Sequence, residues 1–118
     1  EGCGTPPKGD TLTYFQPFQI TPRDIAPGVQ IRPMWGERIM VSIIEVAPGS
    51  EVPLHTHPHE QMGLILEGGV TMVIDGDLRV LNPGDVYLVP PDVEHGVFAG
   101  SERARIADIF SPPREDYM

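Results

Sequence analysis

Histidine is concentrated in two short stretches of this chain. Three of the four histidines, His55, His57 and His59, fall within "HTHPHEQ" (55–61), and the fourth is His95. Imidazole is the commonest metal ligand in proteins, and side chains two residues apart in a strand point to the same face. The pair of His55 and His57, completed by His95, therefore predicts a metal site rather than scattered surface histidines.

The composition excludes several function classes. The 118 residues are 40% hydrophobic and 21% charged, which fits one globular domain. The formal net charge of −9 argues against nucleic-acid binding. No apolar run approaches the roughly 20 residues that a membrane-spanning helix needs. An anionic ligand would need local positive charge to bind to this acidic protein. The single cysteine, Cys3, excludes an intrachain disulfide.

The N-terminal sequence leaves the localisation open. The chain begins at Glu1 rather than Met, so we expect an upstream segment to have been removed or left out. The protein is then either cytoplasmic or, if the upstream residues were a signal, periplasmic.

Proline and glycine interrupt the chain too often for long helices. Between the 14 prolines and 13 glycines lie short runs of apolar and β-branched residues, which are typical of strands. Asp75-Gly76 predicts a hairpin turn. The predicted strands are 38–48, 61–68, 70–75, 78–81, 85–90, 95–99 and 103–110. We therefore expect an all-β sandwich or barrel.

Two stretches resemble the paired motifs of the cupin superfamily. They are "GSEVPLHTHPHEQMGLILEG" (49–68) and "GDVYLVPPDVEHGVFA" (84–99). The resemblance implies a jelly-roll barrel of the double-stranded β-helix type over residues 38–118, with the C-terminal tail over its mouth. Residues 1–37 would form a Pro-rich N-terminal segment, in which 12–20 is the best candidate for an added strand.

The same resemblance implies a ligand set. One divalent transition-metal ion (nickel, zinc, iron, manganese or cobalt) would be held by His55, His57, Gln61 and His95. Gln61 stands where cupins usually have Glu, so the ion would keep its full charge and bind anions well. The spacing assigns Glu60 to an outward or supporting position. His59 is assigned either to support of the ligands or to the surface.

The C-terminal stretch "RIADIFSPPREDYM" (105–118) holds a second candidate group. Alternation puts Asp108 and Phe110 on one strand face, and Arg114 could fold back across the barrel mouth. An acid on an inner face is costly unless it is paired or used. From the residues alone, a solvent-facing Asp108 and an ordinary surface tail are equally compatible with this pattern.

The motif Asp-x-Phe-x-x-x-Arg, located C-terminal to "HTHPHEQ", resembles that of the KdgF family of small pectin-degradation cupins. Members convert unsaturated monouronates from pectin or alginate into linear keto forms. The resemblance implies catalytic roles for Asp108 and Arg114 and substrate contacts from Phe110 and Arg114. It predicts an isomerase- or lyase-like enzyme that acts on an anionic sugar, binds no nucleic acid and forms a homodimer. The alternatives are a metal-dependent dioxygenase and a non-catalytic sugar-binding cupin.

Overall fold

The computed structural model describes residues 13–118, which form ten strands and two short 3-10 helices. Cys3 lies outside this described part of the chain. The 3-10 helices are Pro17–Gln19 and Glu115–Tyr117. The strands are β1 (Arg23–Ala26), β2 (Val29–Trp35), β3 (Met40–Val46), β4 (Glu51–His55), β5 (Glu60–Glu67), β6 (Val70–Ile74), β7 (Asp77–Leu81), β8 (Val86–Val89), β9 (His95–Ala99) and β10 (Ala104–Ser111). The predicted all-β class is confirmed. Within residues 13–118, no helix has the length and apolarity needed to cross a membrane.

The strands form two antiparallel sheets in a jelly-roll arrangement. The larger sheet has the order β1-β2-β3-β10-β5-β8, and the smaller has the order β4-β9-β6-β7. Among the described residues, the strands hydrogen-bond as these two separate sheets rather than as one closed barrel. The expectation of a jelly roll is thus confirmed in the form of two facing sheets.

The core follows from the register of the larger sheet. Ile31, Ile44, Ile106 and Ile65 are successive cross-strand partners on β2, β3, β10 and β5. Each is at most 4% exposed, so the row lies on the face covered by the smaller sheet. Burial of this branched apolar row stabilises the sandwich and fixes which strand faces point inward.

A polar row lies next to this apolar row, two residues along each strand. Ser42 on β3 is the partner of Asp108 on β10, Asp108 is the partner of Gly63 on β5, and Gly63 is the partner of Tyr87 on β8. Because the shift is two residues, these side chains also face inward. The predicted shared face of Asp108 and Phe110 follows from the same alternation, and both are buried.

The N-terminal prediction is corrected in one respect. Leu12, the first residue of the candidate strand 12–20, lies outside the described residues, and residues 13–20 contain a 3-10 turn that begins at Pro17. The added strands are β1 and β2 instead. Pro33 is tolerated in β2 because it lies past the last β1 pair, Arg23 with Ile31, where β2 has a partner on one side only.

The hairpin between β6 and β7 forms as predicted. Its two turn residues, Asp75 and Gly76, have φ values of 52° and 78°. Positive φ at both central positions is the requirement of a tight turn that matches the twist of the flanking strands.

Candidate active site

Three imidazoles converge between the two sheets. His55 is the last residue of β4 and pairs across strands with His95, the first residue of β9. His57 lies in the loop between β4 and β5, and its ring meets that of His95 edge-on at a centroid distance of 4.8 Å. One ring nitrogen from each residue lies within 4.8 Å of the other two. The three histidines are therefore positioned for metal binding. His57 arrives by a loop rather than by the strand alternation that the sequence suggested.

Backbone carbonyls orient each of these rings. The Nδ1 atoms of His55, His57 and His95 lie 2.8, 3.1 and 2.9 Å from the carbonyl oxygens of Pro53, His59 and Val93. A carbonyl only accepts, so each Nδ1 carries the proton and donates it. Each Nε2 is then left with a free lone pair, which is the form that binds a metal ion.

The side chain of Gln61 completes the cluster. Its Oε1 lies 2.9 Å from His57 Nε2 and 3.1 Å from His95 Nε2, while its amide nitrogen lies 3.5 Å from the Tyr87 hydroxyl. With the ring protons on Nδ1, three lone-pair atoms face one another with no hydrogen between them. A cation is the group that would make such an arrangement favourable, so the donor set fits a metal ion.

Burial favours the neutral form of two of these imidazoles, those of His57 and His95. It lowers the pKa of His95 to about 4, and the charge of the other histidines and Arg114 acts in the same direction. Burial, followed by the charge of Arg114, also lowers the pKa of His57. Neutral rings are the state required of metal ligands, since a bound proton would compete with the ion.

The remaining residues of the "HTHPHEQ" stretch stay outside the cluster. Glu60 is exposed, in agreement with its predicted outward position. The half-buried ring of His59 lies 5.4 Å from that of His57, and its backbone carbonyl accepts the His57 Nδ1 proton. His59 thus contributes to the site through its main chain.

Asp108 is a buried acid in the same cavity. The residue is 6% exposed, and its carboxyl group accepts a hydrogen bond from the Tyr87 hydroxyl. Burial raises the pKa of Asp108 to about 6, against hydrogen bonds from Tyr87 and Gln61 and the charge of Arg114, which lower it. A carboxyl group that titrates near neutrality can both take up and release a proton.

Tyr87 is a further site residue, to which the sequence assigned no specific role. Burial raises its pKa well above the usual range, so the hydroxyl keeps its proton and remains a donor. The ring lies over Gly63, where a Cβ atom would overlap it. Gly63 inside a strand was the available signal, because such a glycine often marks the close approach of another group.

The tail after β10 folds back over the site. Arg114 is 9% exposed, and its guanidinium lies 4.0 Å from the ring centre of Tyr117 and 5.4 Å from that of Phe110. It donates to the Tyr117 hydroxyl at 3.2 Å and to the carboxylate of Asp116. Asp108, Phe110 and Arg114 are thus brought together with the histidine cluster. No pattern in the sequence indicated Asp116 or Tyr117 as site residues.

Two adjoining cavities meet at this tail. The inner cavity, of about 20 Å³, holds roughly one water molecule and is lined by His55, His95, Asp108 and Arg114, among others. The mouth cavity, of about 700 Å³, opens to solvent between β1 and β4 and is also lined by His55 and Arg114. The mouth cavity therefore has room for a small ligand next to the inner cavity.

Comparison with known proteins decides the family. A family model described as "Cupin domain" matches residues 42–110, which contain both histidine stretches. The chain belongs to the cupin family. The fold and the convergence of His55, His57 and His95 agree with the expectation drawn from the two sequence motifs.

Relatives of this cupin include enzymes. It is 32% identical over 85 residues to the pectin degradation protein KdgF of Dickeya dadantii (strain 3937), covering 71% of this chain and 77% of the relative. It is 30% identical over 112 residues to H2HPP isomerase of Bacillus subtilis, covering 90% of this chain but 47% of that protein. The structure of KdgF from Halomonas sp. superposes with a TM-score of 0.86 at 27% identity, over 92% of this chain and 100% of that one. The predicted resemblance to KdgF is confirmed.

The geometry of this cupin suits acid/base chemistry on a small anionic molecule. The imidazole nitrogens and the Gln61 amide lie beside a buried carboxyl group, and the Arg114 guanidinium, stacked on aromatic rings, covers the outer side. Arg114 is the positive group among these residues, and it supplies local positive charge within a protein whose net charge is −9.

Proposed function

We propose that this cupin opens unsaturated monouronates, released from pectin or alginate, to linear keto sugar acids. The observation that carries the proposal is the arrangement of Asp108 and Arg114 around one cavity with the histidine cluster. An acid that titrates near neutrality supplies proton transfer, and a planar guanidinium supplies recognition of a carboxylate. The likeness to KdgF supports this choice of substrate class.

We infer that the metal ion is held by the Nε2 atoms of His55, His57 and His95 and by Gln61 Oε1. This ligand set is compatible with nickel, zinc, iron, manganese and cobalt alike. When bound, the ion supplies a positive charge that stabilises oxygen atoms on which negative charge develops.

Asp108 performs the proton transfers in this proposal. Its carboxylate takes the proton of the hemiacetal hydroxyl, and the bond between the hemiacetal carbon and the ring oxygen breaks as the aldehyde forms. The electron pair of that bond leaves an enolate on the former ring oxygen. The protonated Asp108 then delivers its proton to the alkene carbon, which yields the ketone. No atom is gained or lost, so the step is an isomerisation.

Arg114, Phe110 and Tyr117 position the substrate. The guanidinium of Arg114 binds the sugar carboxylate through two hydrogen bonds, and the rings of Phe110 and Tyr117 hold that guanidinium in place. The substrate occupies the mouth cavity and reaches the inner cavity with its hemiacetal end.

The first experiment follows loss of the alkene ultraviolet absorbance of an unsaturated galacturonate or mannuronate monomer, with protein loaded with each candidate metal. We expect turnover by the native protein. Asp108→Asn should lower kcat by about 100- to 10,000-fold, the usual range for loss of a general acid/base. Arg114→Gln should lower kcat/KM by about 10- to 100-fold through loss of charged hydrogen bonds.

Matched controls for these two variants lie on the edge strand β7. Asp77 and Arg79 form an exposed ion pair there, away from both cavities of the site. Asp77→Asn and Arg79→Gln should keep native activity. Absence of turnover with every metal, in a folded and metal-bound protein, would reject the proposed reaction. Oxygen uptake would then indicate the dioxygenase, and sugar binding without turnover the non-catalytic cupin.

The homodimer stays a prediction. The outer faces of β5 and β8 expose an apolar stripe that a second copy would cover, in which Met62 pairs with Leu88 and Leu64 with Val86. These four residues are 37–56% exposed. The mass in solution, measured by light scattering, tests the prediction.

A further inference from the structure

The guanidinium of Arg114 already holds a carboxylate of its own chain. Its Nε lies 3.2 Å from Asp116 Oδ1, and its Nη2 lies 2.8 Å from Asp116 Oδ2. Two parallel N–H···O bonds of this kind form the geometry in which arginine recognises a carboxylate. Asp116 lines the mouth cavity, whereas Arg114 lines both the mouth and the inner cavity. The acid therefore approaches the guanidinium from the side on which a ligand would arrive.

The two partners of this ion pair differ in exposure and in their other contacts. The Arg114 side chain is 11% exposed and is held against the rings of Tyr117 and Phe110, but the Asp116 side chain is 61% exposed. Arg23 donates to the backbone carbonyl oxygens of Asp116 at 2.7 Å and Met118 at 3.1 Å. The backbone of the tail is thus fixed, and the Asp116 carboxylate can turn into solvent without moving it.

We propose that Asp116 is a specificity residue that occupies the position of the ligand carboxylate. Binding then exchanges one carboxylate for another on Arg114. Only a ligand that bears a carboxylate restores both hydrogen bonds to the guanidinium, so a neutral sugar gains too little to displace Asp116. The ligand class, a monouronate, rests on the proposed function, whereas the exchange itself rests on the contacts of Arg114.

The exchange has a modest energetic effect because the competitor is exposed. Ion pairs with an exposed partner contribute little to stability, so Asp116 should weaken the binding of a carboxylate by about 2- to 5-fold. Because the ion pair with Arg114 is weak, a ligand carboxylate displaces the Asp116 carboxylate readily. Removal of the Asp116 charge should therefore tighten ligand binding rather than weaken it.

The test is titration calorimetry of D-galacturonate into zinc-loaded protein. This saturated monouronate has the carboxylate but no alkene, so binding is measured without turnover. Asp116→Asn keeps the size of the side chain and should lower the Kd by about 2- to 5-fold. In an Arg114→Gln background, the same change should have no effect, because the shared partner is gone.

A matched control separates this exchange from a general field effect. Asp24 lines the same mouth cavity, is exposed and is hydrogen-bonded to Gln30 at 2.9 Å rather than to Arg114. Asp24→Asn removes the same charge from the cavity and should change the Kd by less than about 1.5-fold at physiological salt, where exposed charges are screened. D-galactose, which lacks the carboxylate, should gain nothing from Asp116→Asn.

Four results would overturn the exchange: an unchanged or higher Kd in Asp116→Asn, an equal gain in Asp24→Asn, a gain that persists with Arg114→Gln, or no galacturonate binding by any variant. Failure of the proposed function gives a different pattern. If unsaturated uronates are not turned over but Asp116→Asn still tightens galacturonate binding, the reaction is rejected and the carboxylate site stands.

Discussion

The hydroxyl group of Tyr87 donates a hydrogen bond to the buried carboxyl group of Asp108. Gln61 is the other side chain whose hydrogen bond lowers the pKa of this acid. We predict that Tyr87→Phe lowers the free energy of unfolding by about 1–3 kcal/mol, since it leaves a buried carboxyl group without its hydrogen bond while the ring stays in place. It should also lower kcat in the uronate assay, because the carboxyl group loses its fixed orientation. Urea unfolding and the turnover assay measure the two effects.

Tyr14 provides the control for this substitution. It is 78% exposed, so Tyr14→Phe removes a hydroxyl that is already in water and should change stability by less than about 0.5 kcal/mol. Equal stability of Tyr87→Phe and the native protein would contradict the assigned role of the hydrogen bond.

The site residues differ in how far the sequence could predict them. Asp108 and Phe110 follow from two-residue alternation, which needs only their own strand. Tyr87 contacts Asp108 because of the pairing register between β8 and β5 and between β5 and β10. These registers cannot be read from the sequence of any one strand. Asp116 meets Arg114 through a 3-10 turn of three residues, too short to leave a periodic pattern.

At the scale of the elements, an ion cluster joins β2, β3 and β10. Glu45 on β3 accepts hydrogen bonds from Arg105 on β10 at 2.7 and 3.0 Å and from Arg32 on β2 at 3.1 Å. Burial would raise the pKa of Glu45, but the hydrogen bonds and charges of the two arginines outweigh it and hold the pKa below its usual value. The folded state therefore binds this proton less readily than the unfolded state.

The pH dependence of stability follows from this shift. The contribution of Glu45 is complete above its unfolded pKa and is lost as the pH falls through the lower folded pKa. We predict that Glu45→Gln costs about 1–2 kcal/mol at neutral pH, between the values for surface and buried pairs. The difference from the native protein should shrink on acidification below about pH 4, in urea unfolding at a series of pH values.

Glu67 serves as the comparison for Glu45. It also pairs with Arg105, at 3.0 Å, but its side chain is 47% exposed. Glu67→Gln should cost less than about 0.5 kcal/mol at any pH. A Glu45→Gln deficit that is constant from neutral to acidic pH would contradict the role given to the carboxylate.

At the scale of the whole molecule, the proposed metal ion connects the two sheets. His55 and His95 belong to the smaller sheet, whereas Gln61 belongs to the larger. We predict that free zinc at about 100 times its Kd raises the free energy of unfolding by about 2.7 kcal/mol over chelator-treated protein. Thermal unfolding with and without zinc measures the gain, and His95→Ala should abolish it. A shift of equal size in His95→Ala would place the ion elsewhere.

The sequence predicted the central strands of the jelly roll better than β1 and β2, which lie at one edge of the larger sheet. Two histidine motifs in register define where β4, β5 and β9 must meet, so the jelly roll and the convergence of His55, His57 and His95 could be expected. The strands β1 and β2 were missed because the four prolines from residue 17 to residue 33 are typical of an irregular segment. Only pairing with β3 makes that segment a strand pair.

Gly63 and Tyr87 occupy a single volume on the inner face of the larger sheet. A side chain at position 63 would take the space of the ring at position 87, so neither position can change size alone. Among homologous cupins, these two positions should vary together: a larger residue at 63 accompanies a smaller one at 87. A cupin with a larger residue at position 63 and a smaller one at position 87 would also lack the hydroxyl group that donates to Asp108. Retention of this hydrogen bond therefore depends on a glycine on the neighbouring strand.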